Sequence, residues 1–230
     1  MGGRGSYSVR KAFGDLTAVK GTKTATQAAA AAPRPRGNFG GGADSGRQTE
    51  ASMDAEFSNW KNSLSAEQIS AFASYTNGGY FGINSYLRGK KPAYGDHSDT
   101  TKKEAALLKS AFNHALTKPI TVYRGTGTTD SKVLAEMTTV GSVFRDKGAF
   151  STSISRKFAT GWAGSKSNPV VYTIRIPKGY KGAAWVQSIS PHKHEKEVLI
   201  RPGQNWKVVK QLKPFNQYGT SIPHYLIQPV

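Results

Sequence analysis

Apolar positions in this chain keep a helical spacing in one stretch and a strand spacing in the next, with the change near the middle. Phe57, Trp60 and Leu64 open the periodic part. Ser65-Ala66-Glu67-Gln68 follows as a capping box, whose side chains can satisfy the first free N–H groups of a helix carrying Ile69, Phe72 and Ala73. Gly78-Gly79 predicts its end. A second short helix is expected through Phe81, Ile83, Tyr86 and Leu87, closing at Gly89, and a third from a Thr101-Lys102-Lys103-Glu104 box through Leu107, Leu108, Phe112 and Leu116. Beyond Pro119, β-branched and aromatic residues gather in short runs at 120–123, 149–154, 170–176, 197–200, 206–212 and 225–228, which read as strands. Helices clustered before strands, rather than alternating with them, predict an α+β fold over a doubly wound sheet.

Residues 1–50 lack this periodicity. The run Ala28 to Ala32 leads into Pro33-Arg34-Pro35-Arg36-Gly37, then Gly40-Gly41-Gly42. Such a stretch cannot bury enough apolar surface to offset its ordering entropy, so residues 1–50 are expected to be a flexible basic tail and residues 51–230 one catalytic-sized domain. The tail reads as a solvated linker, with nucleic-acid or partner binding as the alternative. Of the net charge of +18, the tail holds +5 and residues 51–230 hold +13, so the folded part itself attracts anions: NAD, nucleic acid, acidic proteins or anionic surfaces. The chain has no Cys, which excludes disulfides, thiolate metal sites and a Cys nucleophile. No apolar run reaches the ~18 residues that span a bilayer, and the N-terminus lacks the apolar stretch of a secretory signal. The expectation is a soluble protein with no membrane association and no Sec-type signal, acting in the cytoplasm of a host or target cell after delivery by other means.

Three clusters carry the candidate chemistry: Val122-Tyr123-Arg124-Gly125, Phe150-Ser151-Thr152-Ser153, and Glu195-Lys196-Glu197-Val198-Leu199-Ile200. Singly each is bland: a surface cation, a half-exposed strand, a solvated charge run. Their order and spacing together resemble the Arg, Ser-Thr-Ser, Glu-x-Glu signature of the mono-ADP-ribosyltransferases related to C3-like, binary and VIP2-like toxins and to similar phage enzymes. Upstream, Tyr75-Thr76 and Ile83-Asn84-Ser85-Tyr86-Leu87-Arg88 resemble the tyrosine-bearing helix and Ile-Asn-x-x-Leu-Arg segment of the toxin-type members. The resemblance covers about residues 57–230 and leaves the tail outside it.

The resemblance implies helices packed on two small facing, mostly antiparallel sheets, with NAD in a central cleft as a consumed substrate. It also implies roles. Departure of nicotinamide leaves an oxocarbenium-like ribose, which calls for negative charge near the sugar and cations near the pyrophosphate. Glu197 becomes the carboxylate that binds the ribose 2′-hydroxyl and stabilises that charge. Glu195, on the same face of an extended segment, becomes the acceptor-selecting residue: in the family Glu here goes with arginine modification and Gln with asparagine, and a carboxylate can orient a guanidinium and take its proton.

Arg124 would contact phosphate and ribose as a permanent planar cation, and Arg88 would be the second pyrophosphate cation, unless it only complements its helix dipole. Gly125 would approach the nicotinamide carboxamide through its main chain. Ser151 and Ser153 would bond ligand and Glu197, while Thr152 would pack and hold the strand. Phe158 would stack on nicotinamide or else sit in the core. Tyr75 and Asn84 are weaker candidates for contacts around NAD, against ordinary helix packing.

Other patterns fall short. His192-x-His194 beside Glu195 reads as a solvated turn rather than a metal site, and the reaction needs no metal. Gly125-Thr126-Gly127 is neither a P-loop nor a dinucleotide fingerprint. The expected activity is transfer of ADP-ribose from NAD to an accessible arginine of a target protein, acidic or nucleic-acid-associated. The rivals are an NAD glycohydrolase using the same site and a basic nucleic-acid-binding or virion protein; the latter lacks any recognisable binding module.

Overall fold

The computed structural model describes residues 48–92, 95–217 and 219–230. Residues 1–47, most of the expected tail, lie outside the described residues. Its last three belong to the folded part: Gln48 Oε1 accepts the Thr121 N–H at 3.0 Å, Thr49 caps the first helix, and Glu50 is that helix's first residue.

Four helices come first: α1 (Glu50–Asn62), α2 (Ala66–Ser74), α3 (Tyr80–Leu87) and α4 (Asp99–Ala111). The Ser65–Gln68 capping box forms as read. Gly78, at φ +107, breaks the path between α2 and α3 inside a wide turn over Tyr75–Gly79, so α2 itself stops earlier than Gly78-Gly79 implied. The third predicted helix begins one turn before the Thr101 box: its cap is Ser98, whose Oγ accepts the Thr101 N–H, and Leu116 falls beyond its end. Phe57, Trp60, Phe72 and Phe112 meet edge to face, and Trp60 Nε1 donates to the Ala111 carbonyl at 2.7 Å, which ties α1 and α2 to the end of α4.

The strands are β1 (Ile120–Gly127), β2 (Val143–Arg145), β3 (Phe150–Ser153), β4 (Pro169–Ile176), β5 (Ala183–Trp185), β6 (Glu197–Ile200), β7 (Asn205–Gln217) and β8 (Thr220–Pro229). Two short helices interrupt them, α5 (Ser131–Thr138) and α6 (Arg156–Ala163). The predicted α+β class holds. The hydrogen-bonded order is β2-β7-β8-β4-β1-β3-β6-β5, antiparallel at every step except β4–β8. The link between β1 and β3 is a single register pair, Tyr123 with Ser153, so two sheet halves of five and three strands meet at one point. That junction is where the chemistry collects.

Alternation along β1 sends Ile120, Val122, Arg124 and Thr126 toward one buried face. An arginine is thus presented from a core position, by a strand that runs on past Tyr123 to Gly127. On β3, Ser151 and Ser153 share a face, opposite Phe150 and Thr152; on β6, Glu197 pairs with Ser153 and Leu199 with Ser151. Glu197 therefore lies diagonal to Ser151.

Candidate active site

Glu197 is 4% exposed and Glu195 5%. Burial pushes the Glu197 carboxyl up to about 8, the Glu195 charge adds to the rise, and a Ser151 hydrogen bond and the Arg124 charge oppose it. Burial likewise pushes Glu195 up to about 7. Two carboxyls are therefore held close together out of water. Their backbone differs from the extended segment expected from sequence. Glu195 ends a short 3₁₀ turn, Lys193–Glu195, and Lys196 adopts the left-handed conformation, φ +49, before β6 begins. Both carboxylates stay buried because the chain turns between them, not because strand alternation aligns them.

Ser151 and Ser153 divide the labour differently from the expectation that both bond Glu197. Ser151 reaches the Glu197 carboxyl and lies 3.3 Å from Tyr75 Oη, while Ser153 Oγ donates to the Glu195 main-chain carbonyl at 2.6 Å and accepts the Ser155 N–H at 2.9 Å. Ser153 thus fixes the turn. Thr152 is fully buried and its hydroxyl donates to the Val198 carbonyl, across to β6.

Tyr75 and Asn84 join the same network. Asn84 Nδ2 donates to Tyr75 Oη at 2.9 Å and its Oδ1 accepts the Ala149 N–H at 2.8 Å, while burial and the Glu197 charge push the Tyr75 phenol up to about 12. Tyr80, which sequence reasoning passed over, packs its ring against Tyr75 with centroids 6.2 Å apart, and its phenol is raised by burial and then by the nearby Tyr75 and Glu195. Its aromatic type at the start of α3 gave no distinguishing signal.

Arg124 is 1% exposed, its Nη1 donates to the Ser151 carbonyl at 2.6 Å, and its guanidinium lies 4.1 Å over the Phe150 ring. Burial lowers it to about 10, which leaves it charged at neutral pH. Arg88 does more than complement the α3 dipole: Nε and Nη2 grip both oxygens of Asp146, each at 2.9 Å. Asp146, 2% exposed, is the second residue sequence reasoning missed; its only signal was a carboxylate just before Lys147-Gly148, too ordinary to single out.

Gly125 is required by the packing of α6. A Cβ there would lie 1.9 Å from the Ala159 carbonyl oxygen and 2.7 Å from the Ala163 nitrogen. That approach seats α6 directly on β1. Phe158, half-buried on α6, is neither in the core nor isolated: with Trp162 (ring centroids 6.4 Å, stacked) and His194 (6.0 Å, edge to face) it lines a cleft of about 490 Å³ that also takes in Ser155, Lys157, Gly161 and Ser165. His192 and His194 are exposed on the turn. Among the described residues no group of three or more His, Cys, Asp or Glu is placed to hold a metal, and no helix is long and apolar enough to cross a membrane.

The structure thus brings Glu195, Glu197, Ser151, Ser153, Tyr75, Tyr80, Asn84 and Arg124 into one network and sets an aromatic cleft beside its turn. Buried cations, two carboxyls and an apolar aromatic wall fit a ligand that combines anionic phosphates, a ribose and a flat ring.

Known proteins give the same picture. The mono(ADP-ribosyl)transferase SpvB of Salmonella typhimurium is 28% identical over 180 residues, an alignment covering 66% of this chain and 28% of the relative. The chain therefore spans under a third of that protein's length. Among solved structures, Plx2a, an ADP-ribosyltransferase toxin from Paenibacillus larvae, superimposes with a TM-score of 0.63 at 22% identity, covering 77% of this chain and 92% of the toxin. BECa of the C. perfringens binary enterotoxin, solved with NADH, gives 0.64 at 18% identity, covering 77% of this chain and 46% of BECa. Residues 52–221, from α1 into β8, match the ADP-ribosyltransferase exoenzyme family, and the chain belongs to that family.

Proposed function

We propose that this chain transfers ADP-ribose from NAD to an arginine side chain of a protein, releasing nicotinamide. The observation that carries the reading is the pair Glu195 and Glu197, buried together beside Ser151 and the Arg124 guanidinium. Vis, an ADP-ribosyltransferase solved with agmatine, has the same fold, with a TM-score of 0.58 at 20% identity, covering 80% of this chain and 86% of Vis. Agmatine carries the guanidinium of arginine, which favours a guanidine acceptor.

In this reading Arg124 and Arg88 bind the pyrophosphate of NAD, and Phe158 with Trp162 offers aromatic surface to the nicotinamide ring. Glu197, held by Ser151, binds the ribose 2′-hydroxyl and stabilises the positive charge that grows as the bond from ribose C1′ to the nicotinamide nitrogen breaks. The bonding electrons leave with nicotinamide. An acceptor guanidinium nitrogen then bonds to C1′, and Glu195 orients the guanidinium and takes its proton. Tyr75 and Asn84 hold the cluster's geometry. Residues 48–230 form the catalytic unit in this proposal, and the target is a protein with an accessible arginine, acidic or nucleic-acid-associated, to suit the +13 charge of residues 51–230.

The test is incubation of wild-type and Glu197→Gln protein with labelled NAD and a cell lysate, reading protein label and free nicotinamide and mapping modified residues by mass spectrometry. Labelled arginines that vanish in the variant are expected. Nicotinamide release without protein label would make the chain a glycohydrolase, and no turnover in any lysate would refute both.

A further inference from the structure

The turn that carries the two carboxylates is held from two sides, and one hold lies outside the reaction chemistry. On the strand side, Ser153 Oγ donates to the Glu195 carbonyl and the Ile154 N–H donates to the Lys196 carbonyl at 3.1 Å. On the far side stands the first turn of α1. Glu50 Oε1 forms a salt bridge with Lys196 Nζ, and Glu50 Oε2 accepts a hydrogen bond from Gln187 Nε2. One helical turn on, Trp185 Nε1 donates to Asp54 Oδ1 at 2.7 Å.

These partners sit at telling positions. Gln187 is the second residue of the loop between β5 and β6, and Lys196 is its last. A single carboxylate on another element therefore bridges the two ends of the loop that delivers Glu195. Lys196 is also one of two non-glycine residues with positive φ among the described residues. The left-handed conformation is disfavoured for a residue with a Cβ and persists where surroundings over-determine it. Here the Lys196 side chain is sent outward onto Glu50 while the carboxyls on either side stay buried. The ion pair is partly exposed, at 39% and 41%, and such pairs add little to global stability. Its effect is geometric.

We propose that Glu50 is a positioning residue for the transfer reaction: by bridging Gln187 and Lys196 it closes the neck of the 186–196 loop and keeps Glu195 beside Glu197. This rests on the reading of those two carboxylates as the reacting pair. Because Glu195 faces the acceptor in that reading, loosening the neck weakens transfer to a guanidine more than cleavage of NAD.

The experiment compares full-length wild type, Glu50→Ala, Thr49→Ala, Lys196→Gly and the Glu50→Ala/Lys196→Gly double variant. Thr49→Ala removes the α1 cap without touching Lys196, so it controls for damage to the helix. Lys196→Gly permits the left-handed conformation without the ion pair. The readouts are nicotinamide release with and without agmatine, thermal midpoint, and amide hydrogen exchange over residues 193–197.

Glu50→Ala is expected to lower the acceptor-dependent kcat about tenfold, with KM for NAD changed by less than about twofold, a near-wild-type midpoint and faster exchange in the turn. Thr49→Ala should lose midpoint but keep kcat, and Glu50→Ala should add no further loss in the Lys196→Gly background. Wild-type kcat in Glu50→Ala, or an equal loss in Thr49→Ala, overturns the proposal. A wild type that releases no nicotinamide sinks the transferase reading instead, and exchange at 193–197 then decides whether Glu50 braces the turn.

Discussion

The raised Glu197 carboxyl predicts a steep pH dependence whose sign is fixed by the chemistry. The working form is the carboxylate, since only it can stabilise positive charge on the ribose. In the free protein burial holds the proton on up to about pH 8, with Glu195 as the second cause. With one pKa unit equal to a tenfold ratio, about a tenth of the molecules are competent at pH 7 and about a hundredth at pH 6. The kcat/KM for NAD should therefore climb roughly tenfold per unit from pH 6 to 7 and level off above 8. The kcat limb should sit lower, because the cationic nicotinamide ring of bound substrate favours the ionised acid.

Glu195→Gln removes the neighbouring charge at nearly constant shape and should shift the NAD hydrolysis limb to lower pH. The shift should be smaller than the whole rise, because burial is the larger cause and remains. The two groups titrate as a pair, so the wild-type limb should be broader than a single ionisation.

The same proton acts on stability. A folded carboxyl raised above its unfolded value of 4.5 is a group whose proton the folded state retains between about pH 4.5 and 8, so stability falls as pH rises through that window. Glu197→Gln lacks this term, and its thermal midpoint relative to wild type should grow from pH 5 to pH 9. A rate profile already flat above pH 6, or a Glu197→Gln midpoint difference independent of pH, would refute the argument that burial protonates Glu197.

Two further outcomes are expected. In Gly125→Ala the new Cβ must move more than about 1 Å from the Ala159 carbonyl to reach ordinary contact, so β1 and α6 separate; overpacking of this kind costs about 1–3 kcal/mol, and denaturant unfolding should show it along with a larger loss of kcat/KM than Gly161→Ala, where the atom nearest to an added Cβ is 3.8 Å away. In Asp146→Asn the Arg88 guanidinium loses its bidentate carboxylate in a site where its side chain is 7% exposed, so thermal or chemical denaturation should register a loss of about 3 kcal/mol; an unchanged midpoint would mean that Arg88 is free to leave Asp146 without cost.

What the sequence made legible is what depends on neighbours in sequence. The Ser65 box, the α+β order and the strand runs at 120–123, 149–154 and 197–200 follow from local periodicity and capping, whereas the continuation of β1 to Gly127 does not. Three-residue β2 and β5 are too short to show alternation, and α5 and α6, of eight residues each, went unread although Asp130 and Ser155 cap them with side-chain hydrogen bonds. The site divides in the same way. Its carboxylates, serines and arginines were visible as types, but Asp146 lies 58 residues from Arg88, and Glu50 meets Lys196 only after α1 docks on β5. The reason for Gly125 is likewise a helix 34 residues away in sequence at Ala159. These are tertiary facts, and no spacing rule encodes them.

The charge of the chain illustrates the same limit in energetic terms. A domain at +13 ought to keep acids ionised, and from composition alone one would expect low carboxyl pKa values throughout. Partly exposed Glu50 is lowered, first by its hydrogen bond to Lys196. Glu197 does the opposite. Surface charges more than a Debye length away, about 8 Å at physiological salt, are largely screened, whereas loss of hydration acts on the carboxyl directly and reaches several pKa units when burial is complete. Even Arg124, close enough to favour the carboxylate, does not cancel that loss. The surface field therefore serves to gather an anionic substrate, while the buried pocket sets when Glu197 ionises, and the two can be tuned apart: added salt should raise KM for NAD while leaving the pH at which kcat/KM levels off in place.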